Sequence, residues 1–187
     1  DHEVLAAMRT IENNVGIADF RLIDIAANEP TPGTVELGEG TFYIDKQLMV
    51  TGGVTLVGQG WENTIIKQTG TAGTNDDTKR CVTMKDGAQL IGLTLTGGNT
   101  TNNSAGGAGV YVDSGDATIS WCCVTNNTAW FCGGGIGIGK SGSSAAPQHV
   151  KIDHTIVADN SSTGSSDFPG AGIGTKAGYL ELEVDTC

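Results

Sequence analysis

The stretch Gly133-Gly134-Gly135-Ile136-Gly137-Ile138-Gly139-Lys140-Ser141 admits two incompatible readings. From Gly134 to Ser141 it satisfies G-x-x-x-x-G-K-[ST], the pattern of a phosphate-binding loop. That chemistry needs a helix directly after the loop, because the N–H groups of the first helical turn meet the phosphate. Here Gly142, Ser143, Ser144 and Pro147 follow, which is no helix. The same glycines return at Gly170 to Gly174 without a Lys-Ser pair. The stretch therefore reads as one copy of a repeat, and a nucleotide-binding enzyme is set aside.

Working outward, four segments align with it: Cys81-Val82-Thr83-Met84, Gly109-Val110-Tyr111-Val112, Gly135-Ile136-Gly137-Ile138 and Gly172-Ile173-Gly174-Thr175. The last three each begin on the final glycine of a small-residue triplet. A second element recurs downstream, led by Leu90, Ile119, Ile152 and Leu182, at intervals of 29, 33 and 30 residues. A period near 30 with inserts of variable length marks a solenoid, whose rungs bury their apolar faces only by stacking. In-register stacking predicts one column of Val110, Ile136 and Ile173 and another of Leu90, Ile119, Ile152 and Leu182. Asn127 and Asn160 follow the second element at equivalent places and predict an amide ladder along the axis.

Towards the amino terminus the pattern is a simple alternation with period two. Thr34–Leu37, Thr41–Ile44, Gln47–Val50, Val54–Val57 and Thr64–Lys67 read as strands of four residues, separated by glycine turns. Such strands are too short for an ordinary sandwich and suit rungs with several sides. Gly70 to Lys79 is polar and reads as a loop. Residues 1–28 differ: Val4, Leu5, Met8 and Ile11 recur at helical spacing. They read as a helical cap over one end, followed by a β region spanning 29–187. The chain ends at Cys187 within the second element of its last rung, with no polar cap after it, so it reads as the front end of a longer solenoid.

Composition bounds the function. The 187 residues include 29 Gly, only 5 % are aromatic, and 10 Lys+Arg against 21 Asp+Glu leave a formal charge of −11. That field opposes nucleic acid and anionic membranes. No apolar run approaches the 18 or so residues needed to cross a bilayer. The five cysteines form no C-x-x-C pair, which argues against a zinc ribbon or thioredoxin site, and their odd number leaves at least one unpaired within the chain.

Two stretches carry a family resemblance. Gly33–Ile44 with Gly53–Gly60 looks like the amino-terminal rungs of right-handed parallel β-helix proteins of the pectin-lyase-like superfamily. Ala117–Ala129 with Gly133–Ile136 is similar to the repeats of polymorphic outer-membrane proteins and related bacterial surface adhesins. The resemblance covers roughly residues 30–187. It implies an all-β, right-handed parallel β-helix and a secreted or cell-surface location. It leaves function open, because that superfamily hosts lyases, hydrolases and non-catalytic adhesins.

The residues that bear on chemistry are few. Trp61, Trp121 and Trp130 fall at turns or outward positions, where an indole face can stack on a sugar. His154 lies in the second element as an outward-facing residue and is the one candidate general base. Asp76, Asp77, Lys79 and Arg80 are the set on which the resemblance would place calcium and a proton-abstracting cation. Asp113 with Asp116, or Asp153 with Asp185, are the pairs that stacked rungs would bring together. No paired-Asp or Gly-His-Gly motif is present. The expectation is thus a non-catalytic adhesion or glycan-contact protein binding through Trp61, Trp121, Trp130 and His154. It needs no metal or other cofactor, Ca²⁺ being the one ion the acidic loop could take. Its partners are a polysaccharide or cell-surface glycan, and further rungs of the same chain. The alternative is a polysaccharide lyase or glycoside hydrolase.

Overall fold

In a computed structural model of the chain, residues 33–102, 106–139, 147–164, 170–176 and 179–187 are described. They contain strands and turns and no helix. The helical cap expected over residues 1–28, and Lys140 and Ser141 of the opening stretch, lie outside the described residues.

Nineteen short strands fall into four sheets, and every pairing is parallel. The first sheet takes β1 (Thr34–Glu36), β4 (Thr55–Val57), β7 (Ala88–Ile91), β11 (Ala117–Ser120), β15 (Gln148–Asp153) and β19 (Leu180–Asp185), side by side in that order. The second takes β2 (Gly40–Ile44), β5 (Thr64–Gln68), β8 (Thr94–Thr96), β12 (Cys123–Thr125) and β16 (Ile156–Ala158). The third takes β3 (Leu48–Val50), β6 (Val82–Lys85), β10 (Val110–Ser114), β14 (Ile136–Ile138) and β18 (Ile173–Thr175). A fourth, very short sheet holds β9 (Asn99–Thr100), β13 (Thr128–Ala129) and β17 (Ser161–Ser162). The chain visits the first, second and third sheets in rotation, with the fourth inserted before the third from β9 onward. Each return adds one parallel strand beside the last. We call one such circuit a rung.

Alternation along the strands sends every second side chain inward. β7 and β11 are buried at their first and third residues and half-buried at the others. The inward residues form one continuous core, with Leu56, Leu90, Ile119 and Ile152 in the column of the first sheet, all fully buried. The third sheet supplies Leu48, Val82, Val110, Ile136 and Ile173, in register. Each fully buried Leu or Ile contributes about 1.5–3 kcal/mol of transfer free energy, so the columns hold the rungs together.

One predicted register is off by two. Ile152 pairs with Val184, while Leu182 pairs with Val150. The apolar alternation of Leu180, Leu182 and Val184 fits either register, and the chain between β15 and β19 contains an insert that shifts the count. The corrected register makes Cys187 the counterpart of Cys122 and Thr155. Each lies three residues beyond its column residue, and each caps a carbonyl one rung back: Cys122 Sγ on Leu90, Thr155 Oγ1 on Ile119, Cys187 Sγ on Ile152.

The amide ladder is present as expected. Asn127 is fully buried. Its Nδ2 donates to the Leu95 carbonyl at 3.0 Å and to Asn160 Oδ1 at 3.0 Å, and its Oδ1 accepts from the Gly98 N–H at 2.8 Å. Asn160 Nδ2 repeats the pattern one rung on, donating to the Val124 carbonyl at 2.8 Å. The side chain thus satisfies backbone groups that the turn between the second and fourth sheets leaves unpaired. The stretch Gly133–Gly139 is the strand β14 and its approach. A Cβ built on Gly135 would meet the Gly172 carbonyl and Asn160 Nδ2, each at 2.7 Å, so its glycine serves close rung packing.

Candidate functional site

The corner between the first and second sheets gathers three of the four expected binding residues. Ser120 of β11 pairs in register with Asp153 of β15, and Asp153 with Asp185 of β19. The residues that follow, Trp121, His154 and Thr186, therefore occupy the same step of successive rungs. All three turn the corner with positive φ, at 55°, 46° and 50°. Side chains at such a step project away from the core. The Trp121 and His154 rings are stacked, centroids 4.1 Å apart and planes 18° from parallel. That distance is close to the spacing of neighbouring strands, about 4.7–4.9 Å, so the stack follows from the register. Trp121 is 55 % exposed although one face is covered. Trp61 sits in the longer turn between β4 and β5 on the same corner, half-buried, with its carbonyl accepting from Thr94 Oγ1 at 2.6 Å.

Trp130 is exposed but lies elsewhere, after β13 on the way to the third sheet. Its N–H donates to the Thr100 carbonyl at 2.8 Å. Among the expected residues Trp61, Trp121 and His154 thus share one corner and Trp130 does not.

Behind the corner the outer face of the first sheet carries a polar grid. Asp116, His149 and Glu181 form one row, Thr118, Lys151 and Glu183 the next, and Ser120, Asp153 and Asp185 the third. The first two rows line an open groove of about 570 Å³. His149 Nδ1 is 2.9 Å from Glu181 and Lys151 Nζ is 3.1 Å from Glu183, so both side chains are engaged by the neighbouring strand. The His149 N–H donates to Asp116 Oδ1 at 2.9 Å. In the third row, Ser120 Oγ donates to Asp153 Oδ1, and His154 Nδ1 is 3.4 Å from Asp153 Oδ2. The Ser120 hydrogen bond holds the Asp153 carboxyl below the usual carboxylate range, with His154 and Lys151 acting in the same direction. Asp153 is therefore an acceptor at neutral pH and not a proton donor.

The loop 70–80 has a structural explanation. The Asp76 carboxylate accepts from the Gly73 N–H, the Thr78 N–H and Thr78 Oγ1, at 3.0, 2.8 and 2.8 Å. These bonds, Gly73 first, pull its pKa down to about 2. Lys79 Nζ donates to the Asp45 carbonyl at 2.6 Å. Arg80 is 1 % exposed: Nη1 is bound to Asp77 at the carbonyl (2.6 Å) and the carboxylate (3.2 Å), and the Tyr111 ring lies 4.5 Å from the guanidinium carbon. A guanidinium packed in this way braces the loop against the third sheet; it does not present a base to an open surface. Among the described residues no group of three or more His, Cys, Asp or Glu gathers to hold a metal ion. Nor is any helix of the described residues long and apolar enough to cross a membrane.

Sequence reasoning picked Trp121 and His154 separately and missed that they touch. The signal was available: they are 33 residues apart, as are Ile119 and Ile152. It missed the burial of Arg80, which depends on Tyr111 from the next rung and left no mark in the local sequence. No family model, no curated protein and no solved structure matches this chain.

Proposed function

We propose that the chain is a right-handed parallel β-helix of the pectin-lyase-like kind that works, without catalysis, as a secreted or cell-surface glycan-contact protein. The observation that carries this reading is the Trp121–His154 stack, half open to solvent on a corner whose backbone is fixed by the rungs on either side. An indole face held rigidly gives a sugar's C–H face a surface to pack on at little entropic cost. The neighbouring carboxylates and hydroxyls of the grid supply acceptors and donors for sugar hydroxyls. The formal charge of −11 favours a neutral glycan over an acidic one.

The test is a glycan array followed by titration calorimetry of any hit, on the native chain and on Trp121→Ala. The reading expects binding that Trp121→Ala weakens by tenfold or more, about 1.4 kcal/mol, with the melting temperature unchanged. Binding of no glycan, or equal binding by the variant, would sink it.

A carbohydrate-active enzyme is the second reading, and one observation favours it. Asp153 and Asp185 are in register on adjacent strands, which puts their backbones about 4.8 Å apart. Retaining glycosidases hold two carboxyls about 5–5.5 Å apart. That chemistry also needs one carboxyl kept protonated, and Asp153 is shifted the opposite way. Release of reducing ends from a neutral polysaccharide, abolished by Asp153→Asn, would establish the enzyme.

A further inference from the structure

β19 is paired on one side only. β15 holds it in register from Leu180 to Asp185, and among the described residues no strand lies on its other side. The pairing sorts its backbone groups. The Gln148 and His154 N–H groups donate to the Tyr179 and Asp185 carbonyls, so the odd-numbered residues of β19 turn their N–H and C=O towards β15. Leu180, Leu182 and Val184 turn theirs to the free edge. Two of those side chains are open as well: Leu182 is 39 % and Val184 47 % exposed, whereas Val150 and Ile152, their counterparts on β15, are buried. Open backbone beside an open apolar column is a template for one more strand.

The outer face of the same strands says which strand fits. β15 sets His149 against Glu181 and Lys151 against Glu183, using Oε2 of the first carboxylate and Oε1 of the second. Each carboxylate keeps a second oxygen. Asp185 has only Asp153, a like charge, as its counterpart on β15. A strand on the free edge would bring its own outward side chains opposite Glu181, Glu183 and Asp185, all three exposed. Opposite charges facing across strands stabilise the pair and like charges destabilise it. That argues against a second copy of this chain. Its β19 would set carboxylate against carboxylate, and the exposed side chains of its β1 are Thr34 and Glu36.

We propose that the free edge of β19 docks an extended basic segment of another polypeptide, added as a further strand of the first sheet. Its apolar residues cover Leu182 and Val184 from the open side. The Lys or Arg residues between them face Glu181, Glu183 and Asp185. Backbone hydrogen bonds to Leu182 and Val184 hold it, and the alternation of apolar and basic residues selects it. The proposal does not rest on the glycan-contact reading.

The test uses three capped, dye-labelled peptides of equal length on the full chain. One alternates isoleucine and lysine, one alternates isoleucine and glutamate, and one holds its isoleucines and lysines in two separate blocks. Affinity is read by fluorescence polarisation for the native chain, for Leu182→Pro, and for the triple variant Glu181→Gln, Glu183→Gln, Asp185→Asn. Proline at 182 removes an edge donor and no bond to β15. The alternating lysine peptide should bind at least tenfold tighter than the other two. It should slow amide exchange at Leu182 and Val184 and leave Glu183, already bonded to β15, unchanged. Leu182→Pro and the triple variant should each weaken it tenfold or more, and the triple variant should also lose most of the salt dependence. If Leu182→Pro does not fold, the exchange pattern and the triple variant decide. No binding, equal binding of the block or glutamate peptide, no slowing at Leu182 and Val184, or full affinity in the triple variant would each overturn the proposal. Self-association of the native chain that Leu182→Pro abolishes would make a second copy the occupant and overturn the choice of a basic segment.

Discussion

Asn127 shows how much one side chain carries in this architecture. It is buried, and it answers the Leu95 carbonyl, the Gly98 N–H and Asn160 Oδ1 at once. Asn127→Ala removes every answer and leaves two buried backbone groups unpaired, at about 1–3 kcal/mol each. We expect a loss of about 2–5 kcal/mol in chemical denaturation, with the same slope if the rest of the fold is kept. Asp76 is the pH counterpart. Its pKa is depressed from the ordinary 3.8 to about 2 by hydrogen bonds that only the folded loop supplies. A depressed carboxylate stabilises the fold above its unfolded pKa and loses that contribution as pH falls through the folded value. The loop should therefore hold down to about pH 4 and loosen between about pH 4 and pH 2, read by amide exchange at Gly73 and Thr78. Asp76→Asn should loosen it at neutral pH and remove that acid transition. A transition unchanged in the variant would count against this assignment.

At the scale of one strand and its approach, the triplet glycines divide: Gly107, Gly133 and Gly170 take positive φ, while Gly109 and Gly135 leave no room for a Cβ. A Cβ on Gly109 would sit 2.6 Å from Val124 Cγ1, 2.7 Å from Asn127 Nδ2 and 2.7 Å from the Gly135 carbonyl. The last is backbone of the next rung and cannot rotate away. Gly109→Ala should cost about 1–3 kcal/mol through overpacking and disturb the amide ladder as well. Gly33, with nothing within 4 Å of a built Cβ, is the matched control, and Gly33→Ala should stay within about 0.5 kcal/mol. Equal melting temperatures for the two variants would mean that the rungs yield more easily than their spacing implies. This strand-level pattern was plainly legible in the sequence. A glycine before β10, β14 and β18, and apolar residues at alternate places after it in β10 and β14, are local features of the sequence.

Over the whole molecule, contacts run between neighbouring rungs, so stability should be a sum of rung and interface contributions. The first-sheet column offers a direct test. Ile119 is fully buried between Leu90 and Ile152, whereas Val184 at the far end is 47 % exposed. Ile119→Ala should cost about 2–5 kcal/mol and Val184→Ala less than about 1. Leu56→Ala and Ile152→Ala, three rungs apart, should add to within about 0.5 kcal/mol, while Leu90→Ala and Ile119→Ala, in contact, should not. Additivity in both pairs would argue against a continuous core column.

The all-strand character, the repeat and most of the core columns were decided by the amino-acid order alone, because each follows from short-range alternation and a period that survives the inserts. The same order set the opening glycine stretch as a strand approach, because Gly142, Ser143, Ser144 and Pro147 are poor residues for the helix that a phosphate site needs. Tertiary structure decided the cross-rung neighbours that the repeat alone left open. It moved the partner of Ile152 from Leu182 to Val184, buried Arg80 under Tyr111, and turned two separate candidates, Trp121 and His154, into one stacked surface. The reason is physical. Side-chain neighbours in this fold lie a full circuit apart in sequence, and the inserts change the length of each circuit. Only the paired backbones set the count.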